Sequence, residues 1–257
     1  MSYLIVFLPL IGAILGYSLK SLGDRYSEVI TTTFLFLSAI LSVVIFYKGV
    51  VLGEYANYKV IEWISSGSLK VNWSINIDPL SSIMLVVVTS VSSLVHLYSI
   101  GYMSNDPNKP RFMSYLSLFT FAMLMLVVSD NFLQLFFGWE GVGLCSYLLI
   151  GFWYKKNSAN NAAIKAFLVN RVGDFGLAIG IFLIFNYFGT VNYDEVFSKV
   201  ASQSTKEINF LGSNINLITL ISIALFIGAM GKSAQFFFHT WLPDAMEGPT
   251  PVSALIH

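Results

Sequence analysis

The sequence predicts an all-α protein that crosses a lipid bilayer several times. Of the 257 residues, 56% are hydrophobic and 11% are charged, and the mean hydropathy is +0.71. A soluble chain carries about 25% charged residues. Apolar runs of about 20 residues, the length that spans the hydrocarbon core, recur along the chain. Glu140 and Lys232 lie deep inside two of these runs, where an ionised side chain costs on the order of 3 kcal/mol and by default marks an ion pathway.

Composition and motifs also exclude several classes of protein. The formal net charge is zero and no basic block with interleaved aromatic residues is present, so a nucleic-acid binder is excluded. Cys145 is the only cysteine, which excludes an internal disulfide and a cysteine-rich metal or iron–sulfur site, and we interpret it as a small packing residue. No glycine-rich dinucleotide fingerprint occurs. We therefore expect no cofactor and no metal, and lipid and protons as partners.

Seven transmembrane helices are predicted from the apolar runs. They cover about Tyr3–Leu19, Val29–Tyr47, Pro79–Ile100, Phe112–Val128, Asn131–Trp153, Ala162–Phe188 and Asn214–Thr240. An eighth helix is predicted to begin with Thr250 as N-cap and Pro251 at the first helical position. Because the sequence stops at His257, after less than two turns, we expect an N-terminal fragment of a longer protein.

Basic residues in the short connections predict the orientation of the helices. The first, third and fifth connections are rich in lysine and arginine, and such loops stay on the inner side of the membrane. The N-terminus is therefore predicted to face outward. The basic residues concerned are Lys20, Arg25, Lys109, Arg111, Lys155 and Lys156.

One outer connection has the alternation of a β-strand. Apolar and polar residues alternate from Leu69 to Asp78, after an apolar stretch at Val60–Ile64 and a turn-forming Ser65–Ser68 segment. This pattern predicts a small β-hairpin at about residues 59–78 on the outer surface, where it would pack against a partner.

Glu140 is predicted to lie near the middle of the bilayer. It follows Asp130 by ten residues and precedes Lys155 by fifteen, so at about 1.5 Å per residue it lies roughly 15 Å below the outer surface. Small residues around it allow helices or water to approach closely. The alternative is a structural role, in which Glu140 joins two helices by a hydrogen bond. The small residues are Gly138, Gly141 and Gly143.

Lys232 is predicted to lie at a break in the seventh helix. Gly228 and Gly231 precede it and Pro243 follows, a pattern that indicates an interrupted helix whose freed backbone groups line a cavity. A lysine balanced between desolvation and a nearby carboxylate can exchange a proton near neutral pH. The alternative is a lysine that extends to the membrane interface.

The sixth helix adds three charged candidates. Arg171 and Asp174 are three residues apart and share a helix face, so they predict an ion pair, either structural or part of a proton path. Lys165 lies about one turn inside the inner end, where it either feeds protons or anchors the helix at the interface.

The sequence pattern predicts different roles for His239 and His96, and none for His257. His239 follows Lys232 by seven residues, nearly the same face of a continuous helix, and its titration range suits a proton relay. His96 is interpreted as a structural histidine near the inner end of the third helix. His257 has too few neighbours in the sequence to be judged.

Four segments resemble the antiporter-like membrane subunits of proton-pumping NADH-quinone oxidoreductase, respiratory complex I, the family of subunit L and mitochondrial chain 5. The resemblance extends over essentially the whole chain, with several long motifs in matching order. The segments are Trp139–Gly151, Arg171–Asp174, Gly231–Gln235 and Gly248–His257.

The resemblance implies a fold of two inverted five-helix repeats. Residues 1–111 would hold the first three helices and the hairpin, residues 112–257 the first repeat, and the second repeat would follow. By resemblance, Glu140 is the family's transmembrane glutamate and Lys232 its broken-helix lysine. The associated members of the polar path would be Lys165, Asp174 and His257.

The resemblance also implies the activity, the location and the partners. The chain would couple NADH oxidation and quinone reduction to proton pumping, beside other membrane subunits of complex I, in a bacterial or mitochondrial inner membrane. It would carry no redox centre. We hypothesise that Lys232 takes up a proton while paired with Glu140, and that a signal from quinone reduction weakens this pair.

Two alternatives and one departure accompany this interpretation. The chain would otherwise belong to a multisubunit cation/proton antiporter, or be a membrane scaffold that pumps nothing. The family often has a proline soon after the Lys-Ser-Ala-Gln segment, whereas this chain has Phe236–Phe238. The helix break is therefore expected to depend on glycines alone.

Overall fold

Six long apolar helices form most of the molecule. The computed structural model describes residues 1–210 and 212–256, and within this part six helices are long and apolar enough to cross a membrane. The predicted membrane fold class is therefore confirmed. The helices are α1 (Ser2–Ser18), α2 (Asp24–Phe46), α3 (Pro79–Tyr102), α4 (Lys109–Val127), α5 (Phe132–Ile150) and α6 (Asn157–Phe188).

The predicted seventh helix is shorter than its apolar run. Helix α8 covers Leu217–Lys232, 16 residues, instead of Asn214–Thr240. The chain then continues through residues 233–240 to two short helical elements and α10. The later elements are α9 (Trp241–Asp244), a 3-10 turn (Ala245–Glu247) and α10 (Thr250–Ile256), which begins at its predicted N-cap residue.

The interruption of α8 needs no proline. Ala234 and Phe237 have φ angles of 48° and 77°, a region that L residues with side chains rarely adopt. The helix therefore ends at Lys232, and the following backbone changes direction at these two residues. The predicted break is present, although it does not depend on glycines alone.

The end of the bundle that the sequence predicts to face outward, called the outer side below, carries the predicted hairpin and three elements that were not predicted. Strands β1 (Ala56–Ser66) and β2 (Leu69–Ile77) pair antiparallel with two register shifts. Between α6 and α8 lie α7 (Tyr193–Gln203) and a second hairpin of β3 (Glu207–Phe210) and β4 (Ser213–Asn216). These short polar elements fall between two apolar runs, and hydropathy gives little indication of them.

Side-chain amides attach the first hairpin to the start of α5. The fully buried Gln134 side chain accepts a hydrogen bond from the Ser74 backbone N–H at 2.9 Å and donates one to the Ser74 carbonyl at 2.7 Å. Asn131 donates to the Asn72 carbonyl at 2.9 Å. The amide of Gln134 thus pairs with β2 as a neighbouring strand would, and the hairpin is held to the helix that carries Glu140.

Replacing Gln134 with alanine should destabilise the outer side of the protein. Two buried backbone groups of Ser74 would lose their partner, and each such group costs about 1–3 kcal/mol. The measurement is the free energy of unfolding in an SDS titration, with Gln235→Ala, a change in an exposed side chain, as the control. Equal unfolding free energies for the two variants would contradict the prediction.

Small polar side chains join neighbouring helices among the first four, α2 to α1 and α3 to α4. Ser38 donates to the Ile5 carbonyl at 2.6 Å, and Ser92 bonds Thr120 at 2.5 Å. Such contacts are typical of helices that pack in lipid. His96 is fully buried between the Ser92 carbonyl, at 2.8 Å, and the hydroxyl of the α4 residue Ser117, at 3.0 Å. The predicted structural role of His96 is confirmed.

Glycines bring the backbones of α6 and α8 into contact. A Cβ atom on Gly173 would lie 3.1 Å from the Gly231 Cα, and one on Gly228 would lie 2.7 Å from the Leu177 Cβ. No side chain fits between the helices at these positions. This contact sets the position of Lys232, which follows Gly231 directly.

Candidate functional site: a polar cavity between α5, α6 and α8

A cavity of about 510 Å³ lies in the bundle between α5, α6 and the end of α8, with α3, α4 and α10 forming its other walls. Most of the lining is apolar, but the α5, α6 and α8 side carries polar groups. These are Trp139, Ser146, Asn170, Arg171, Asp174 and Lys232. Four of the predicted candidate residues thus lie in or next to one space, because Glu140 contacts Arg171 from α5.

Glu140 forms an ion pair with Arg171, and not with Lys232 as predicted. The Arg171 Nη1 donates to Glu140 Oε2 across the α5–α6 interface. The second carboxylate oxygen, Oε1, is buried without a hydrogen-bond partner. The predicted Glu140–Lys232 pair is therefore wrong for this structure, because Arg171 approaches Glu140 from the facing helix.

Arg171 also lies near Asp174, the partner that the sequence predicted. Its Nη1 is 4.0 Å from Asp174 Oδ2, and its guanidinium carbon lies 4.6 Å from the centre of the Phe167 ring. The Arg171 side chain is 43% exposed. One guanidinium therefore lies between two carboxylates, with the closer contact to Glu140.

Asp174 is buried and has a partner that sequence reasoning missed. Its side chain is 5% exposed, and the indole Nε1 of Trp139 donates to its Oδ1 at 2.5 Å. An indole N–H inside a membrane needs an acceptor, so a tryptophan beside Glu140 could have suggested this contact. Trp139 and Arg171 together hold Asp174 at the cavity wall.

Lys232 reaches the cavity from the last position of α8. A Cβ atom on Gly143 would lie 2.7 Å from the Lys232 Nζ, so the absence of a side chain there leaves room for the ammonium group. The Nζ also lies 5.9 Å from the centre of the Trp139 ring. No ion pair of the described residues includes Lys232, and Asp174 and Arg171 line the same cavity.

Two other predicted candidates lie away from this cavity. Lys165 bonds Asp244 at 2.7 Å and lines a separate pocket at the end of α6 that is predicted to face inward, called the inner pocket below. His239 is exposed and stacks on Phe236 with ring centres 6.4 Å apart. Because α8 ends at Lys232, the predicted shared helix face of Lys232 and His239 does not exist. His257 lies outside the described residues.

The inner pocket measures about 370 Å³ and contains a second ion pair. Glu247 accepts hydrogen bonds from Lys156 at 3.2 Å and from Ser158 at 3.0 Å. These two bonds, with the positive charge of Lys156, hold the pKa of the Glu247 carboxyl below its usual range. In the described ranges, no group of three or more histidine, cysteine, aspartate or glutamate residues is arranged to hold a metal ion.

Comparison with known proteins gives matches over the whole chain. Residues 129–257 match the family model of NADH:quinone oxidoreductase/Mrp antiporter transmembrane proteins, and residues 63–113 match the model of the N-terminus of complex I chain 5. The chain is 59% identical to NADH-ubiquinone oxidoreductase chain 5 of Triticum aestivum, with 100% of this chain and 38% of the relative covered. It is 54% identical to NADH-quinone oxidoreductase subunit L of Rhodobacter capsulatus, with coverage of 100% and 37%.

The fold matches a solved antiporter complex. A chain of the Mrp complex from Dietzia sp. DQ12-45-1b superposes with a TM-score of 0.84 at 25% identity, covering 100% of this chain and 26% of that one. In length, the chain spans less than two-fifths of each of the two curated relatives described in the preceding paragraph.

Proposed function

The chain belongs to the NADH:quinone oxidoreductase/Mrp antiporter transmembrane family, and we propose that it is part of a proton-translocating, antiporter-like subunit of NADH-quinone oxidoreductase. The observation that carries the proposal is the cavity in which Arg171, Asp174 and Lys232 meet, with Glu140 bound to Arg171. The names of the relatives at 59% and 54% identity support the choice of complex. NADH oxidation and quinone reduction would take place in other subunits, and neighbouring membrane subunits would be the partners.

In this proposal Lys232 is the group that carries the proton. Its amine faces a cavity with room for water, Asp174 lines the same cavity, and Glu140 lies beside it, bound to Arg171. A carboxylate near a lysine favours the charged form of the lysine. Removing one of these negative charges from its surroundings favours release of the proton. Moving one charge through 100 mV requires about 2.3 kcal/mol, so the change in electrostatic surroundings must be substantial.

Arg171 provides a means for that change. It is bound to Glu140 and lies 4.0 Å from Asp174, so a small side-chain movement exchanges one carboxylate for the other. The carboxylate that Arg171 leaves acts more strongly on Lys232, and the one that it neutralises acts less. A conformational signal from quinone reduction would act by shifting Arg171 between Glu140 and Asp174.

A cation/proton antiporter is the second candidate. The matching family includes Mrp antiporters, and the superposition on the Mrp complex supports this alternative. The match of residues 63–113 to the N-terminus of complex I chain 5 favours the oxidoreductase. Proton translocation that follows NADH oxidation and is independent of sodium would support the first proposal, and translocation that needs a sodium gradient would support the second.

Replacing Lys232 with alanine in the assembled complex should lower proton pumping by about tenfold or more, equivalent to at least about 1.4 kcal/mol on the transfer step. The measurement is acidification of inverted membrane vesicles after NADH addition, normalised to the amount of assembled complex. Lys59→Ala is the control, because Lys59 is 55% exposed on the outer hairpin. Normal pumping by assembled Lys232→Ala complexes would refute the proposed role.

A further inference from the structure

The inner pocket and the polar cavity are separated by a thin wall. Ala162 lines the inner pocket, whereas Ala166 lines the cavity. These residues are four positions apart on α6, which is about 6 Å along the helix axis. The two spaces therefore approach each other to within about one helical turn.

Trp241 fills this wall. Its side chain is 3% exposed and packs against the alanines of α6 and against Ala245. Small side chains at these positions leave room for the indole ring. Its Nε1 donates to the Gly231 carbonyl at 3.1 Å, one residue before Lys232. The alanines of α6 in this cluster are Ala162, Ala163 and Ala166.

Helix α9, which begins with Trp241, also carries a charged group that lines the inner pocket. Asp244 follows Trp241 by three residues in α9 and bonds Lys165 of α6 at 2.7 Å. The four-residue helix is thus held at one end to the last turn of α8 and at the other to α6. Movement of Trp241 out of the wall requires movement of Asp244 as well, because they belong to one helical turn.

We propose that Trp241 is the barrier between the inner pocket and the Lys232 cavity, and that the Lys165–Asp244 ion pair keeps it closed. Separation of this pair releases α9, Trp241 leaves the alanine surface, and water connects the pocket with the cavity. The inference rests on the proposed function, in which Lys232 receives protons from the inner side. Trp241, Asp244 and Lys165 are positioning residues, since they act by controlling access to Lys232.

Cysteine labelling tests the barrier without measuring pumping. In the full-length subunit within its complex, Cys145→Ala removes the only cysteine of the described residues, and Ser146→Cys places a thiol in the cavity lining. The probe is the membrane-impermeant cation methanethiosulfonate ethyltrimethylammonium, added to inverted vesicles that expose the inner face. With Trp241 present, labelling should be slow.

Trp241→Ala should increase the labelling rate by about tenfold or more, whereas Trp241→Phe, which keeps an aromatic ring in the wall, should label slowly. Trp241→Leu serves as a second opening variant if the alanine variant fails to assemble. Asp244→Asn should accelerate labelling several-fold, and the matched control Glu247→Gln, which weakens the neighbouring ion pair, should not. Unchanged labelling in both opening variants, or equal acceleration by Asp244→Asn and Glu247→Gln, would overturn the proposal.

Parallel pumping measurements distinguish a failure of the barrier proposal from a failure of the proposed function. If Lys232→Ala stops pumping but the Trp241 variants label slowly, the barrier proposal fails and the proposed function stands. If the Trp241 variants label rapidly but Lys232→Ala pumps normally, the barrier stands as a structural feature and the proposed function fails.

Discussion

Replacing Arg171 with methionine should abolish proton pumping and reduce assembly of the complex. Glu140 and Asp174 would then lose the guanidinium that lies between them, and of the described residues only Lys232 would remain as a cation of this cavity. Arg171 is 43% exposed and Glu140 23%, so we expect a cost between about 1 kcal/mol, typical of an exposed pair, and about 3 kcal/mol, typical of a buried one. The measurements are the yield of assembled complex and NADH-driven vesicle acidification per assembled complex.

A charge-matched double variant separates the electrostatic effect from loss of packing. Arg171→Met combined with Glu140→Gln removes one charge of each sign, so assembly should recover while pumping stays low. Arg111→Met is a matched control, since Arg111 bonds the Phe152 carbonyl at 2.8 Å near the inner surface and has no carboxylate partner among the described residues. If the double variant assembles no better than Arg171→Met, the pairing of Arg171 with Glu140 does not determine stability.

The second large effect is expected for Gly173→Val. A Cβ atom there would already lie 3.1 Å from the Gly231 Cα and 3.2 Å from the Ile227 carbonyl oxygen, and valine adds two methyl groups. Because the contacted atoms belong to the backbone, α8 must move away from α6. Overpacking of this kind costs about 1–3 kcal/mol, occasionally more. It also displaces Lys232, so pumping should fall even in complexes that assemble.

Gly101→Val is the control for this substitution. Gly101 lies in α3, is exposed, and would bring its Cβ within 4 Å of no other group. The thermal unfolding midpoint and the pumping rate should both remain near those of the unaltered protein. Equal effects of the two valine substitutions would show that the α6–α8 backbone contact does not control the position of Lys232.

The sequence predicted the membrane fold because hydropathy is a local property. Helices α1 to α6 were each predicted from an apolar run, and the first hairpin from its alternating residues. The seventh helix was predicted too long. Residues 233–240 are apolar enough for a helix, but Ala234 and Phe237 have backbone conformations that do not belong to one. The division into an N-terminal part and a first repeat stays a prediction.

Four charged residues at the cavity were predicted, namely Glu140, Arg171, Asp174 and Lys232, but the pairing of Glu140 with Arg171 was not. Glu140 and Lys232 are unusual because charge at membrane depth is costly, and that cost can be recognised without a structure. Which cation reaches which carboxylate depends on the distance between helices. Arg171 was predicted to pair along its own helix with Asp174, whereas its closer contact is with Glu140 on α5.

The sequence by itself determined that this chain is an integral membrane protein with ionisable groups inside its helices. The length of each apolar run, and the charged residues within it, can be recognised directly in the sequence. Only the tertiary structure decided that Arg171 binds Glu140, that Gly143 makes room for Lys232, and that Trp241 packs against the alanines of α6 and bonds the Gly231 carbonyl. Each of these contacts joins residues distant in the chain. Their geometry depends on how closely the glycine and alanine surfaces of the helices can approach.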